Sequence, residues 1–310
     1  MPGAYAHITL VNHLKVPQHL ESVQGFDPYG ATAVLDYFKF CELGAVSPDY
    51  PYLVPTDKMA CKWADSMHYI NTGGMIKAGI RVLAQMERNE NWRKAFAWLC
   101  GYAAHVGADM TIHPVVEMKV GTYAQHKKEH RICELNQDAH IFQRLNLGDI
   151  GLAEHLDSGI WGCCDTKDSG KLDSAVANLW KSMLKECYPK EAVANPPDLD
   201  KWHNSFKLVV DNVAEEGNKL FPAARHLAVN SGFTYPEVGK IDKTFILGLK
   251  VPGGQMDYDE IFDKAVENVK TIWSLIWKGV FAGDKGFEVK LGKWDLDTGR
   301  DEMKNLVFWS

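Results

Sequence analysis

Three residues spaced four apart, His105, Asp109 and His113 in GYAAHVGADMTIHPVVE, frame the chemistry open to this chain. At about 100° per residue, positions i, i+4 and i+8 of a helix fall on one narrow stripe. The run before them, Trp92 to Ala104, is apolar on nearly every face, so this helix is expected to cross the core. A carboxylate inside such a helix needs a hydrogen bond, an ion pair or a metal, because an uncompensated buried charge is strongly destabilising. Three polar residues alone could be satisfied by neighbouring helices. The set is larger. In chain order His7, Asp49, His68, His105, Asp109, His113, His130 and Glu134 each sit in or beside an apolar segment. Nitrogen and carboxylate donors without cysteine suit zinc held for hydrolysis, where open coordination positions keep water. Two or three ions about 3.5 to 4 Å apart need a bridging carboxylate, and Asp109 between its two histidines is the candidate. His105 and His113 lie about 12 Å apart along a helix, which assigns them to different ions.

Other donors carry less. His126 shares the stripe of His130 and Glu134 and is an alternative ligand, although a solvated histidine in the lysine-rich HKKEH is the plainer reading. His13, His19, His140, His155, His203 and His226 lack an acidic partner in such a motif and read as surface or core histidines. Cys163 and Cys164 are adjacent and read as packing.

Helices must position these donors. AYAHITLVNHL, with His7, fits a strand or a helix by periodicity. Ala31 to Cys41 predicts the first clear helix, PDYPYLVP a loop, and Thr56 a cap for a helix that runs through His68 to an NTGG turn at Asn71 to Gly74. Met75, Gly79, Val82, Leu83 and Met86 form the next stripe. The central helix starts near Asn91 and is expected to end at His113, because Pro114 disfavours helical backbone before it. Thr122 to Leu145 predicts a helix and Asn146 to Asp173 an insertion or long loop. Ser174 to Tyr188 is amphipathic, and another helix is expected on Phe206, Val209, Val210 and Val213. Asp257 to Val280 is the strongest periodic segment, with Asp257, Asp259 and Glu260 as acids favoured at a helix start. FEVKLGKW predicts a short strand near the C-terminus. Many helices and little strand signal predict an all-α fold in a single domain, 1–310. Residues 1–145 would form the metal-binding core. Residues 146–310 would add helices and loops that complete the core and shape a substrate pocket.

Composition sets the outer bounds. With 46% hydrophobic and 24% charged residues, the 310-residue chain has an ordinary globular composition. A net charge of −6 argues against a broad basic surface for duplex nucleic acid. Seven cysteines without a C-x-x-C pair read as free thiols in a reducing compartment. The start MPGAYAHITLVNHLKVP has no signal-peptide pattern, and no segment reaches the length of a transmembrane helix. The expected location is cytoplasmic.

The order H…PDY…WADSMH…GYAAHVGAD…H…HxxxE, over roughly Tyr5 to Asp138, resembles the bacterial zinc-dependent phospholipase C family. That family has an all-helical fold with a trinuclear zinc site, shared with single-strand-specific zinc nucleases. The resemblance implies that His68, His105, Asp49 and Asp109 hold one zinc and His113, His130 and Glu134 a second. His7, with Asp109 as bridge, would hold a third. It implies Asp49 as general base and Tyr50 as a head-group aromatic. This chain departs from the secreted enzymes in three ways. Only six residues precede His7, where the secreted enzymes complete the third zinc with a processed amino terminus. The central motif has the short H-x3-D-x3-H spacing, and Asp65 stands where a choline-boxing aromatic would be. Asp65 could instead attract a cation. The chain beyond Asn146 takes no part in the resemblance. The expected activity is hydrolysis of a small-molecule or lipid phosphate ester by water activated at two or three Zn2+ ions. The alternative is a metal-dependent enzyme on a non-phosphate metabolite, such as a cyclase, dehydratase or amide hydrolase.

Overall fold

The computed structural model describes residues 3–54, 57–147, 159–215 and 235–310. Its first half comprises α1 (Ala4–Leu14), α2 (Pro17–Glu21), α3 (Pro28–Asp36), α4 (Phe38–Val46), α5 (Lys58–Tyr69), α6 (Thr72–Gln85), α7 (Glu90–Val120) and α8 (Lys127–Ile141). Then follow α9 (Ser174–Cys187), α10 (Pro189–Ala194), α11 (Leu199–Glu215), α12 (Tyr258–Phe281) and α13 (Gly286–Lys290). Among the described residues, strands are confined to two small antiparallel hairpins, β1 (Leu249–Val251) with β2 (Gly254–Met256), and β3 (Trp294–Asp295) with β4 (Arg300–Asp301). The fold is all-α.

Helix α7 is the axis on which the other elements pack, most extensively α4 and α12. It is buried at every position from Ala95 to Val116, with Arg93 and Lys94 half-exposed just before them, as its apolar sequence requires. Asn89 caps it by accepting from Trp92 N. Two indole donors pin the neighbours: Trp98 Nε1 to Ser47 Oγ (2.9 Å) and, from α12, Trp273 Nε1 to the Cys100 carbonyl (2.8 Å). One apolar cluster extends from Ala4 to Leu296 and includes the buried Trp63, Trp92, Trp98, Trp180, Trp202, Trp273 and Trp277. Among the described residues, no helix is long and apolar enough to cross a membrane.

Several local expectations change. Helix α7 does not end at His113 but continues through Pro114 to Val120. Proline removes one hydrogen bond at a cost of about 3 kcal/mol, yet burial of Ile112, Val115 and Val116 on both sides holds the helix together. The amino-terminal segment is helical. Ala31 to Cys41 is divided between α3 and α4 by Tyr37, whose ψ of 32° breaks the helix. PDYPYLVP lies mainly in a 3-10 helix, Ser47–Leu53, whose tight turns suit its two prolines. Thr56 lies outside the described residues, and Asp57 caps α5 through Met59 N and Ala60 N. The NTGG segment is the start of α6, with Asn71 alone left-handed (φ 57°). Helix α8 begins at Lys127 rather than Thr122. In FEVKLGKW the first part is α13, and strand pairing starts only at Trp294. Asp257 closes a capping box with Glu260.

Candidate metal centre

Five of the eight predicted donors meet in one buried cluster. His7 comes from α1, Asp49 from the 3-10 helix, His68 from α5, and His105 and Asp109 from α7. Asp109 is the hub. Its Oδ1 lies 3.3 Å from His7 Nε2, and its Oδ2 lies 3.2 Å from His105 Nε2 and 4.0 Å from His68 Nε2. His68 Nε2 is also 3.3 Å from Asp49 Oδ1. Two groups can each offer three donor atoms to one ion: His7, His105 and Asp109, and Asp49, His68 and His105. The His7 and His105 rings stack at 4.1 Å.

Backbone carbonyls decide which ring nitrogen faces inward. His105 Nδ1 donates to the Ala45 carbonyl (2.9 Å), one of the oxygens left free at the end of α4. His68 Nδ1 donates to the Ala64 carbonyl (2.7 Å). With Nδ1 protonated, a ring that carries no second proton aims the lone pair of Nε2 at a carboxylate, which is repulsive unless a cation stands between them. These Nε2 atoms, both oxygens of Asp109, both nitrogens of His7 and Asp49 Oδ1 are buried without a hydrogen-bond partner. The donors fit zinc: imidazole and carboxylate, orphaned, with the far side of two rings fixed.

In the metal-free protein a proton on His105 is the compensating positive charge. Burial disfavours a charged His105, but the Asp109 carboxylate overrides this and lifts it to about 9. Burial opposes ionisation of Asp109, and His105 and His113 nevertheless hold it well below the usual carboxylate range. His7 is lowered by burial and by the neighbouring His105.

The remaining donors sit alongside. His113, one turn beyond Asp109, is buried and its pKa is pushed well down by desolvation. On α8, His130 Nε2 donates to the Gly121 carbonyl (2.7 Å), and burial lowers its pKa. Glu134 is fully buried and raised by desolvation, with Asp49 adding in the same direction. The two halves of the donor set are therefore electrostatically coupled. His113, His130 and Glu134 do not form a three-donor group as close as those around His105.

The structure seats Tyr50 in the core, stacked on Phe206 at 4.5 Å and beside Trp180 and His203, with no exposed surface. A ring so enclosed cannot touch a head group. Tyr52 is an aromatic near the centre: its ring lies 5.6 Å from His68, and its hydroxyl donates to the exposed Asp65 (2.7 Å). Tyr52 follows Asp49 by three residues in the same short-period helix, a spacing that could have singled it out. Asp297 was also missed. It lies 3.8 Å from His113 Nδ1, although far away in sequence. Among the discounted histidines, His140 pairs with Asp259 on α12 (2.6 Å), and His203 lies against Cys164. His155 and His226 lie outside the described residues.

A search of curated proteins and one of solved structures returned no significant match. A family model described as zinc dependent phospholipase C matches residues 6–190. The match reaches beyond Asn146 to take in α9, so the shared architecture is larger than the donor motifs implied. With more than half of the chain matched and the donors gathered around Asp109, the chain belongs to the zinc-dependent phospholipase C family.

Proposed function

We propose that this protein is a phospholipase C-like phosphodiesterase that hydrolyses a phosphate ester on a lipid or a small molecule. The observation that carries the reading is the pair of imidazole lone pairs, His68 Nε2 and His105 Nε2, held against buried carboxylates by hydrogen bonds on the far side of each ring. His68, His105, Asp49 and Asp109 would hold one zinc, and His7 with Asp109 as bridge another. His113, His130 and Glu134 would serve the remaining position. Bound zinc supplies acidification of a water and neutralisation of charge on the phosphoryl oxygens. Asp49 accepts the proton of the attacking water and orients it for in-line approach. Asp109, central to the cluster, fixes the spacing between positions. Asp65, held by Tyr52, offers an exposed carboxylate at the third position before His68, where it would attract a cationic head group.

None of the seven cysteines is joined in a disulfide, which favours a reducing, cytoplasmic setting. The test is hydrolysis of bis(p-nitrophenyl) phosphate by zinc-loaded and chelator-stripped protein. Zinc-dependent release of nitrophenolate is expected. A fully loaded protein inactive on this ester and on phospholipid and soluble phosphodiesters would refute the reading and favour a non-phosphate substrate.

A further inference from the structure

The β3–β4 hairpin lies outside residues 6–190, the stretch matched by the family model, yet it is seated against the metal centre by several independent contacts. Leu296 N donates to the carbonyl of His68 itself (3.0 Å). Gly299, at φ +65°, packs on Pro114: a Cβ there would overlap the proline ring and stand 2.7 Å from the Met110 carbonyl oxygen. That is the carbonyl four residues before Pro114, the one a proline leaves without its helical donor. Asp295 Oδ1 turns the intervening chain by accepting from Asp297 N (3.0 Å) and Thr298 N (3.2 Å). Tyr69, next to His68, donates its hydroxyl to Asp297 Oδ2 (2.7 Å).

These contacts leave Asp297 Oδ1 facing His113 Nδ1 at 3.8 Å. That is too long for a hydrogen bond. It falls within the 3.2 to 4.0 Å that separates the imidazole and carboxylate atoms around Asp109 and Asp49. Two donors each about 2.0 to 2.2 Å from one zinc have such a separation. His113 is buried and its other nitrogen has no partner.

We propose that Asp297 is a carboxylate donor to the metal position served by His113, so that the C-terminal hairpin completes a centre begun by α7 and α8. This rests on the zinc reading above. It adds a negative charge to the position and ties metal loading to docking of the hairpin between α5 and α7.

Chelator-stripped full-length protein, its Asp297→Asn variant and a His113→Ala reference would be titrated with Zn2+ by calorimetry, with metal content measured after gel filtration. Asp297→Asn should weaken, by at least about tenfold, the binding step that His113→Ala removes. The steps unaffected by His113→Ala should stay unchanged. Wild-type stoichiometry and affinities in Asp297→Asn, with wild-type circular dichroism, would overturn the assignment while leaving the zinc reading intact. A wild-type protein that takes up no zinc would overturn both. If Asp297→Asn fails to fold, Tyr69→Phe takes its place, since it deletes the hydrogen bond that positions the carboxylate without removing the carboxylate. A smaller weakening of the same step supports the assignment, and no change overturns it.

Discussion

Gly44 and Gly101 meet where α4 crosses α7, so closely that neither position has room for a Cβ. A Cβ on Gly44 would overlap the Trp98 carbonyl oxygen, and one on Gly101 the Cys41 carbonyl oxygen. The contact matters to the site because Ala45, next to Gly44, supplies the carbonyl that orients His105. Gly44→Ala or Gly101→Ala should therefore cost about 1 to 3 kcal/mol in stability as the helices separate. Either should also weaken zinc binding. Urea unfolding and zinc titration check both effects, and a Gly101→Ala protein with wild-type stability would contradict this account of the crossing.

Asp109 and Asp49 should separate metal binding from turnover. Asp109 touches three histidines, so Asp109→Ala should lose zinc outright by elemental analysis. Asp49→Asn should retain more metal than activity, with turnover down by about 100-fold or more if Asp49 takes the proton of the attacking water. Full activity in Asp49→Asn would remove Asp49 from that role.

Metal removal should cost stability. The donor atoms around Asp109 are buried without hydrogen-bond partners, so a bound ion favours the folded state over the unfolded one. Saturation at 1,000 times the dissociation constant corresponds to about 4 kcal/mol. Chelation should lower the melting temperature and added zinc restore it. A melting temperature indifferent to chelator, in protein shown to have lost its metal, is the contrary result.

Asp138 sets a pH dependence independent of metal. Its carboxylate receives Ala6 N (3.0 Å) and Tyr5 N (3.3 Å) at the start of α1, the helix that carries His7. Gly3 allows this approach, since a Cβ there would overlap the carboxyl group. Burial pushes the Asp138 pKa up to about 7 from an ordinary 3.8, despite the Arg131 charge and the Ala6 N–H. Between these values the native protein keeps a proton that the unfolded chain has released. Its contribution to stability is thus present at low pH and is lost as pH rises through this window, with a slope approaching ~1.4 kcal/mol per pH unit. Denaturation of metal-free wild type and Asp138→Asn from pH 4.5 to 8 should show that slope in the difference between the two stability profiles. Parallel profiles would contradict the buried-proton account.

The central stripe of the candidate site was legible in the sequence because local periodicity and residue chemistry are enough to define it. H-x3-D-x3-H on an apolar run requires three polar side chains on one buried stripe, and a helix places them there whatever surrounds it. The long helices were readable for the same reason, as apolar spacing in Asp257 to Val280 and Ser174 to Tyr188 leaves little alternative. Breaks and ends were less readable. Pro114 looked like a terminus by local rule, but burial on all sides and the hairpin packed against it carry α7 onward.

What the sequence by itself determined is the chemistry of the donors and the helical stripe that joins His105, Asp109 and His113. Only the tertiary structure decided which residues complete it. Tyr50 turns into an aromatic core while Tyr52 approaches His68, because a 3-10 helix rotates successive side chains by about a third of a turn. Ala45 and Asp297 reach the site through a helix crossing and a hairpin dock, contacts across 60 and 184 residues that no local pattern encodes.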